Sequence, residues 1–100
     1  MQIQIQSTHF EADEKLLETT TEKFRRFLKF YNRIEKCSVI LKHEKNNRRK
    51  GFVAEVRLSV PKNDLFAAGR AESFERAIEM VLNDLKRQII KHKEKLLEQR

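Results

Sequence analysis

The sequence predicts an α+β fold: a two-layer sandwich in which a four-stranded sheet carries two helices on one face, in the order β-α-β-β-β-α. Three observations predict it. Apolar residues recur at the helical period in two segments, near residues 15–31 and 74–96. Four short segments instead alternate polar and apolar residues or run β-branched, as strands do. Finally, 100 residues with 39% apolar content can build only one modest core, so both helix stripes must share one sheet face and leave the other in water.

"MQIQIQS" alternates, giving a half-buried first strand with Ile3 and Ile5 on one face. Residues 8–13 form a turn. Asp13 ends it as a helix cap, because its carboxylate accepts from free backbone N–H groups at the positive end of the helix dipole. The helix runs over residues 15–31, with Leu16, Thr20, Phe24, Phe27 and Tyr31 on one stripe and Leu17 and Leu28 beside it. "CSVILKH" marks a second strand over residues 36–43, and "EKNNRRK" is a polar turn. "GFVAEVRLSV" sets Phe52, Ala54, Val56, Leu58 and Val60 on one face of a third strand. "PKND" turns into a fourth strand over residues 65–71. Ser73 caps the long last helix, with Glu75 in its first turn and Phe74, Ile78, Val81, Leu82, Leu85, Ile89 and Leu96 on its stripe. Short turns make strands two to four an antiparallel meander. If strands one and two are neighbours, they run parallel through a right-handed crossover.

Composition narrows the function. A single domain spanning 1–100 is expected, with no signal peptide at "MQIQIQS" and no apolar run near the roughly 18 residues of a membrane span. The lone cysteine, Cys37, cannot form an internal disulfide and fits a reducing cytoplasm. It reads as a buried, inert thiol at the start of an apolar strand. His9, His43 and His92 are scattered over a loop, a strand and a helix without zinc spacing, and Gly51 and Gly69 are too isolated to cradle a phosphate. The expectation is a non-enzyme without cofactor or metal.

Charge is the stronger signal. Lys and Arg total 22 against 15 Asp and Glu, a net +7 that attracts polyanions. At 100° per residue, Arg76, Arg87 and Lys91 lie opposite the last helix's apolar stripe. Lys86 and Lys93 flank that stripe on one side and Lys95 on the other. On the first helix Lys15, Arg26 and Lys29 face outward and Lys23 lies toward the flank. Two such helices side by side present a broad positive field suited to a phosphate backbone. Most of the seven phenylalanines fall on core stripes, leaving Phe30 and Phe66 as candidate exposed rings.

"AESFERAIEMVLNDLKRQIIKHKEKL" resembles the final helix of the ribosome hibernation promoting factor family, also known as ribosome-associated inhibitors or sigma-factor modulation proteins. Its most specific pieces are Ala77–Ile78 and Arg87–Gln88 followed by Lys91, His92 and Lys93. "MQIQIQS", "EKFRRFLKFYNRI" and "GFVAEVRLSVPKNDLFAAG" resemble that family's first strand, first helix and last two strands, so the likeness spans the chain. The resemblance implies a cytoplasmic protein, monomeric off the ribosome. It would bind the small ribosomal subunit (16S-type rRNA and neighbouring ribosomal proteins) in the channel of messenger and transfer RNA. There it would silence ribosomes in stationary phase or stress. Carried over residue by residue, it implies rRNA contacts at Lys23, Arg26 and Lys29 and at Arg87, Lys91 and Lys93, with Lys86 and Lys95 adding charge beside them. Asp84 departs from a lysine common in the family, and the chain resembles the short form, which lacks a second, dimerising domain. Two other classes remain open: a general double-stranded-RNA-binding module, whose element order differs by starting with a helix, and a protein-interaction module using the open sheet face.

Overall fold

The computed structural model describes residues 2–45 and 50–98, so the central part of the "EKNNRRK" turn lies outside the described residues. The elements are β1 (Gln2–Thr8), α1 (Glu14–Leu28), β2 (Lys36–His43), β3 (Phe52–Val60), β4 (Asn63–Ala71) and α2 (Phe74–Glu98). The sheet order is β1-β2-β3-β4, with β1 parallel to β2 and both other pairs antiparallel. The β-α-β-β-β-α order and the two-layer arrangement read from the sequence are both present.

Each helix starts where its capping chemistry predicts. The Asp13 carboxylate accepts from the Leu16 N–H at 2.7 Å, and Ser73 Oγ accepts from the Arg76 N–H at 3.1 Å. The end of α1 differs from expectation. The helix stops at Leu28, because the N–H groups of Lys29 and Phe30 turn to the carbonyls of Arg26 and Phe27, three residues back. Tyr31 stays buried against the core although its backbone has left the helix. The last hairpin is also tighter than "PKND" suggested. Val60 pairs with Asn63, so Pro61 and Lys62 alone make the corner. Lys62 takes φ 66°, the left-handed region that such a corner demands after proline.

Alternation sorts the sheet. Cys37, Val39 and Leu41 on β2, Ala54, Val56 and Leu58 on β3, and Leu65, Ala67 and Ala71 on β4 are buried beneath the helices. Phe24 and Leu28 from α1 and Ile78, Val81, Leu85 and Ile89 from α2 complete that core, while the Leu96 side chain lies outside the described residues. The stripe position that would have been polar, Thr20, is buried as well. α1 packs over β1, and α2 over β3 and β4. Phe74, at the start of α2, meets Phe10 in a stack at 4.8 Å and Phe52 edge-on at 4.8 Å, which ties the β1–α1 turn to the second helix.

The seam between α2 and β4 is built from small residues. A Cβ on Gly69 would lie 2.6 Å from the carbonyl oxygen of Ala77 and 3.2 Å from Val81 Cγ2. The obstacle at 2.6 Å is backbone, so α2 itself would have to move. Gly69→Ala is therefore expected to destabilise by about 1–3 kcal/mol, lowering Tm by roughly 5–15 °C for a domain of this size; a thermal melt of the variant checks this. Burial also pushes the Cys37 thiol from 9.0 up to about 12. Its raised folded value means that its contribution to stability is full below pH 9.0 and is lost as the pH climbs toward 12. Cys37 should alkylate at pH 8 at least about 100-fold more slowly in the native protein than in denaturant, measurable by timed iodoacetamide labelling and mass spectrometry.

Candidate nucleic-acid interface

The eight cations predicted to contact RNA fall into two groups on the helical side. Lys23, Lys86 and Lys93 turn inward, toward the groove between the helices. Lys23 Nζ sits 3.7 Å from Glu75 of α2. Lys86 Nζ and Lys93 Nζ lie over the Phe30 ring, at 5.4 and 4.9 Å from its centroid. Lys93 is also 5.0 Å from the Tyr31 ring and donates to the Phe30 carbonyl at 3.4 Å. Cation–ring contacts at exposed sites contribute about 0.5–1 kcal/mol each, enough to bias two flexible lysines toward one place. Lys29, just past the end of α1, borders the same region together with Arg33.

The remaining cations point elsewhere. Gln88 donates to the Phe66 carbonyl at 2.8 Å, so the side of α2 bearing Gln88 hangs over β4. Lys91 and Lys95 lie on that side of the helical wheel, and Arg87 lies nearly opposite the core. Arg26 is outermost on α1, with its side chain 78% exposed. The field foreseen as two adjoining rows is thus a groove cluster plus an outer rank that wraps round α2 toward β4. A helical wheel gives angles to the core but does not say which flank meets the other helix.

Pairing separates these cations further. Arg26 is bound to Glu22 at 3.3 Å, and Arg87 approaches Asp84 at 3.9 Å. Such exposed pairs within a helix are worth only a few tenths of a kcal/mol, about 0.3–0.5, so a phosphate can displace the carboxylate at little cost. Among the described residues, no carboxylate lies within ion-pair distance of Lys29, Lys86, Lys91, Lys93 or Lys95. The open sheet face contrasts with this. Lys42 meets Glu55 at 2.9 Å, and Arg70 holds both carboxylate oxygens of Glu44. The Arg70 hydrogen bond keeps the Glu44 carboxyl below the usual carboxylate range. Among the described residues, Lys36 and Arg57 on that face have no carboxylate within ion-pair distance, so unpaired cations are present on both sides but more numerous on the helical one.

Both rings singled out from the sequence are exposed, Phe30 by 40% and Phe66 by 52%, but on opposite layers. Phe66 lies across from Arg57 on the open face. Phe30 lies in the helical groove among lysines. Arg33 escaped the sequence reading because it follows the helix, where no periodicity assigns a face. Under the groove, Tyr31 meets His92 edge-on at 6.0 Å. Tyr31 Oη, His92 Nε2 and Thr20 Oγ1 are buried and have no hydrogen-bond partner among the described residues. Among the described residues no cluster of three or more His, Cys, Asp or Glu could hold a metal ion, and no helix is long and apolar enough to cross a membrane.

Known proteins share both sequence and fold with this chain. The family model for Sigma 54 modulation protein / S30EA ribosomal protein matches residues 3–97. The ribosome hibernation promoting factor of Escherichia coli strain K12 is 31% identical over 96 residues, covering 96% of this chain and 97% of that protein. The ribosome hibernation promoting factor of Pseudomonas putida strain KT2440 is 32% identical over 95 residues, covering 95% and 89%. A ribosomal subunit interface protein from Coxiella burnetii superposes with a TM-score of 0.81 at 19% identity, over 93% of this chain and 98% of that one. The N-terminal domain of Thermus thermophilus Protein Y superposes at 0.74 and 17% identity, over 89% and 96%. These last two show a common fold. With a family model spanning nearly its whole length and relatives above 30% identity, the chain belongs to the Sigma 54 modulation protein / S30EA ribosomal protein family.

Proposed function

We propose that this protein is a ribosome hibernation factor. It binds the small ribosomal subunit through its helical side, occupies the channel of messenger and transfer RNA, and inhibits translation in stationary phase or stress. It works in the cytoplasm, as a monomer off the ribosome, with no cofactor and no turnover. The observation that carries this reading is the concentration of uncompensated lysines on the two-helix side, against a sheet face whose Lys42 and Arg70 are paired. Family membership supplies the ribosomal context, since the relatives are named for ribosome hibernation. The chemistry is occlusion. Phosphate neutralisation releases counterions, so affinity is high and falls steeply with salt.

Two outcomes are expected. Co-sedimentation with isolated small subunits should weaken steeply with salt and should exceed binding to random duplex RNA; equal affinity for both would refute a ribosome-specific role. Replacing Arg87 and Lys91 together with alanine should lower the slope of log affinity against log salt by about 2. Both side chains are exposed, so the melting midpoint should hardly move.

Occlusion also sets the stoichiometry. Inhibition should fall as messenger and transfer RNA increase, because mutually exclusive ligands share the free subunit by mass action. About a tenth of an equivalent of protein, incubated with ribosomes and then stripped by high salt, should leave activity fully restored. A time-dependent loss affecting most ribosomes would point to catalytic damage instead.

A further inference from the structure

The segment after α1 and the last turns of α2 border an open groove of about 470 Å3, lined by Lys29, Phe30, Arg33, Lys93 and Leu97 among others. Three of these are cations, and no carboxylate lines it. Phe30 is 40% exposed at its centre, and Leu97 beside it is 63% exposed. Lys86 and Lys93 hold their ammonium groups over the Phe30 ring at 5.4 and 4.9 Å.

We infer that this groove takes one unpaired nucleotide of RNA, whose base stacks on Phe30 while Lys29, Arg33, Lys86 and Lys93 hold its phosphates. This rests on the ribosomal reading above and names the kind of nucleotide the helical side would engage. A cationic surface alone reads any phosphate backbone, and a duplex buries its base faces where an aromatic ring cannot reach them. A half-exposed phenylalanine ringed by cations offers something only an extruded base can use: an apolar π-face beside neutralising charge. Phenylalanine carries no hydrogen-bonding group, so the stack should be tolerant of base identity. Without RNA, the two lysines shield the ring. With RNA, the phosphates draw the ammonium groups off it, and a base replaces them. The stack replaces two exposed cation–ring contacts, and both ammonium groups gain phosphates in return, so the exchange is favourable. An acidic peptide is the other polyanion that such charge could hold, but it has no flat face to cover the ring.

Because the chain has no tryptophan, Phe30→Trp places a single reporter in the groove. Its fluorescence should be quenched by single-stranded oligouridylate or oligoadenylate, and much less by a blunt RNA duplex or oligoglutamate at equal bound fraction. Equal quenching by duplex or by oligoglutamate would overturn the inference. On the small subunit, Phe30→Leu should weaken binding by about 5–50-fold with an unchanged salt slope, and Phe30→Tyr should stay within roughly twofold, since it keeps the ring. Lys86→Gln should instead lower the slope by about 1. A Phe30→Leu variant that folds and binds like the parent defeats the stacking inference while leaving the ribosomal reading intact. If the parent itself does not bind the small subunit, the ribosomal reading falls, and the oligonucleotide quenching still decides whether Phe30 stacks.

Discussion

The backbone of α2 comes closer to β4 than any side chain would permit. Gly69 makes the approach possible, and Ala67 and Ala71 on the same strand face and Ala77 on the helix keep the seam thin. Everything on the helical side depends on it. With α2 held down on β4, Val81, Leu85 and Ile89 enter the core, and Lys86 and Lys93 turn toward α1. A bulkier residue at this seam would lift the helix and rotate the cations away from Phe30. The groove is thus set by packing on the opposite flank of the helix, through residues that carry no charge.

The placement of charge has a cost that the fold tolerates. Lys29, Lys86 and Lys93, with Arg33, crowd the end of the groove without carboxylates among its lining residues. Like charges at this spacing repel, and salt screens them only partly at a surface. Their repulsion is a modest debit against a core of limited size. A polyanion relieves it, and ligand that binds only the folded form adds to stability. The pairs Arg26–Glu22 and Arg87–Asp84 temper the same repulsion across the rest of the surface.

Most of the fold was legible because two periods, 2 and 3.6, are written into different segments with little overlap. Asp13 and Ser73 marked the helix starts because side-chain caps are local chemistry. The misreadings occurred where backbone geometry departed from side-chain pattern. Tyr31 kept the apolar period after α1 had ended, because its ring could reach the core from a non-helical backbone. Lys62 accepted a left-handed conformation usually left to glycine or asparagine, which shortened the last turn to two residues. The candidate cations could be named from the sequence, but their arrangement could not. Periodicity identified Lys86 and Lys93 as flanking one side of the stripe, yet only packing shows that this side faces α1. Arg33 lay outside any period.

The parallel pairing of β1 with β2 bears on how the chain reaches this structure. Gln2 pairs with Lys36, 34 positions away (36 − 2), whereas the β3–β4 hairpin closes between Val60 and Asn63, only 3 apart (63 − 60). Chain closure over the longer span loses entropy before any contact repays it. The meander can zip locally; β1 must wait for α1 to fold back and for β2 to exist. Loop-closure entropy thus favours closing the meander before β1 is seated. While it waits it is an uncharged Gln–Ile ribbon, and once seated it forms an edge with no lysine, proline or bulge to discourage a neighbour. The net charge of +7 opposes the approach of a second copy's edge. The cations thus also act as a colloidal safeguard for a strand they never touch.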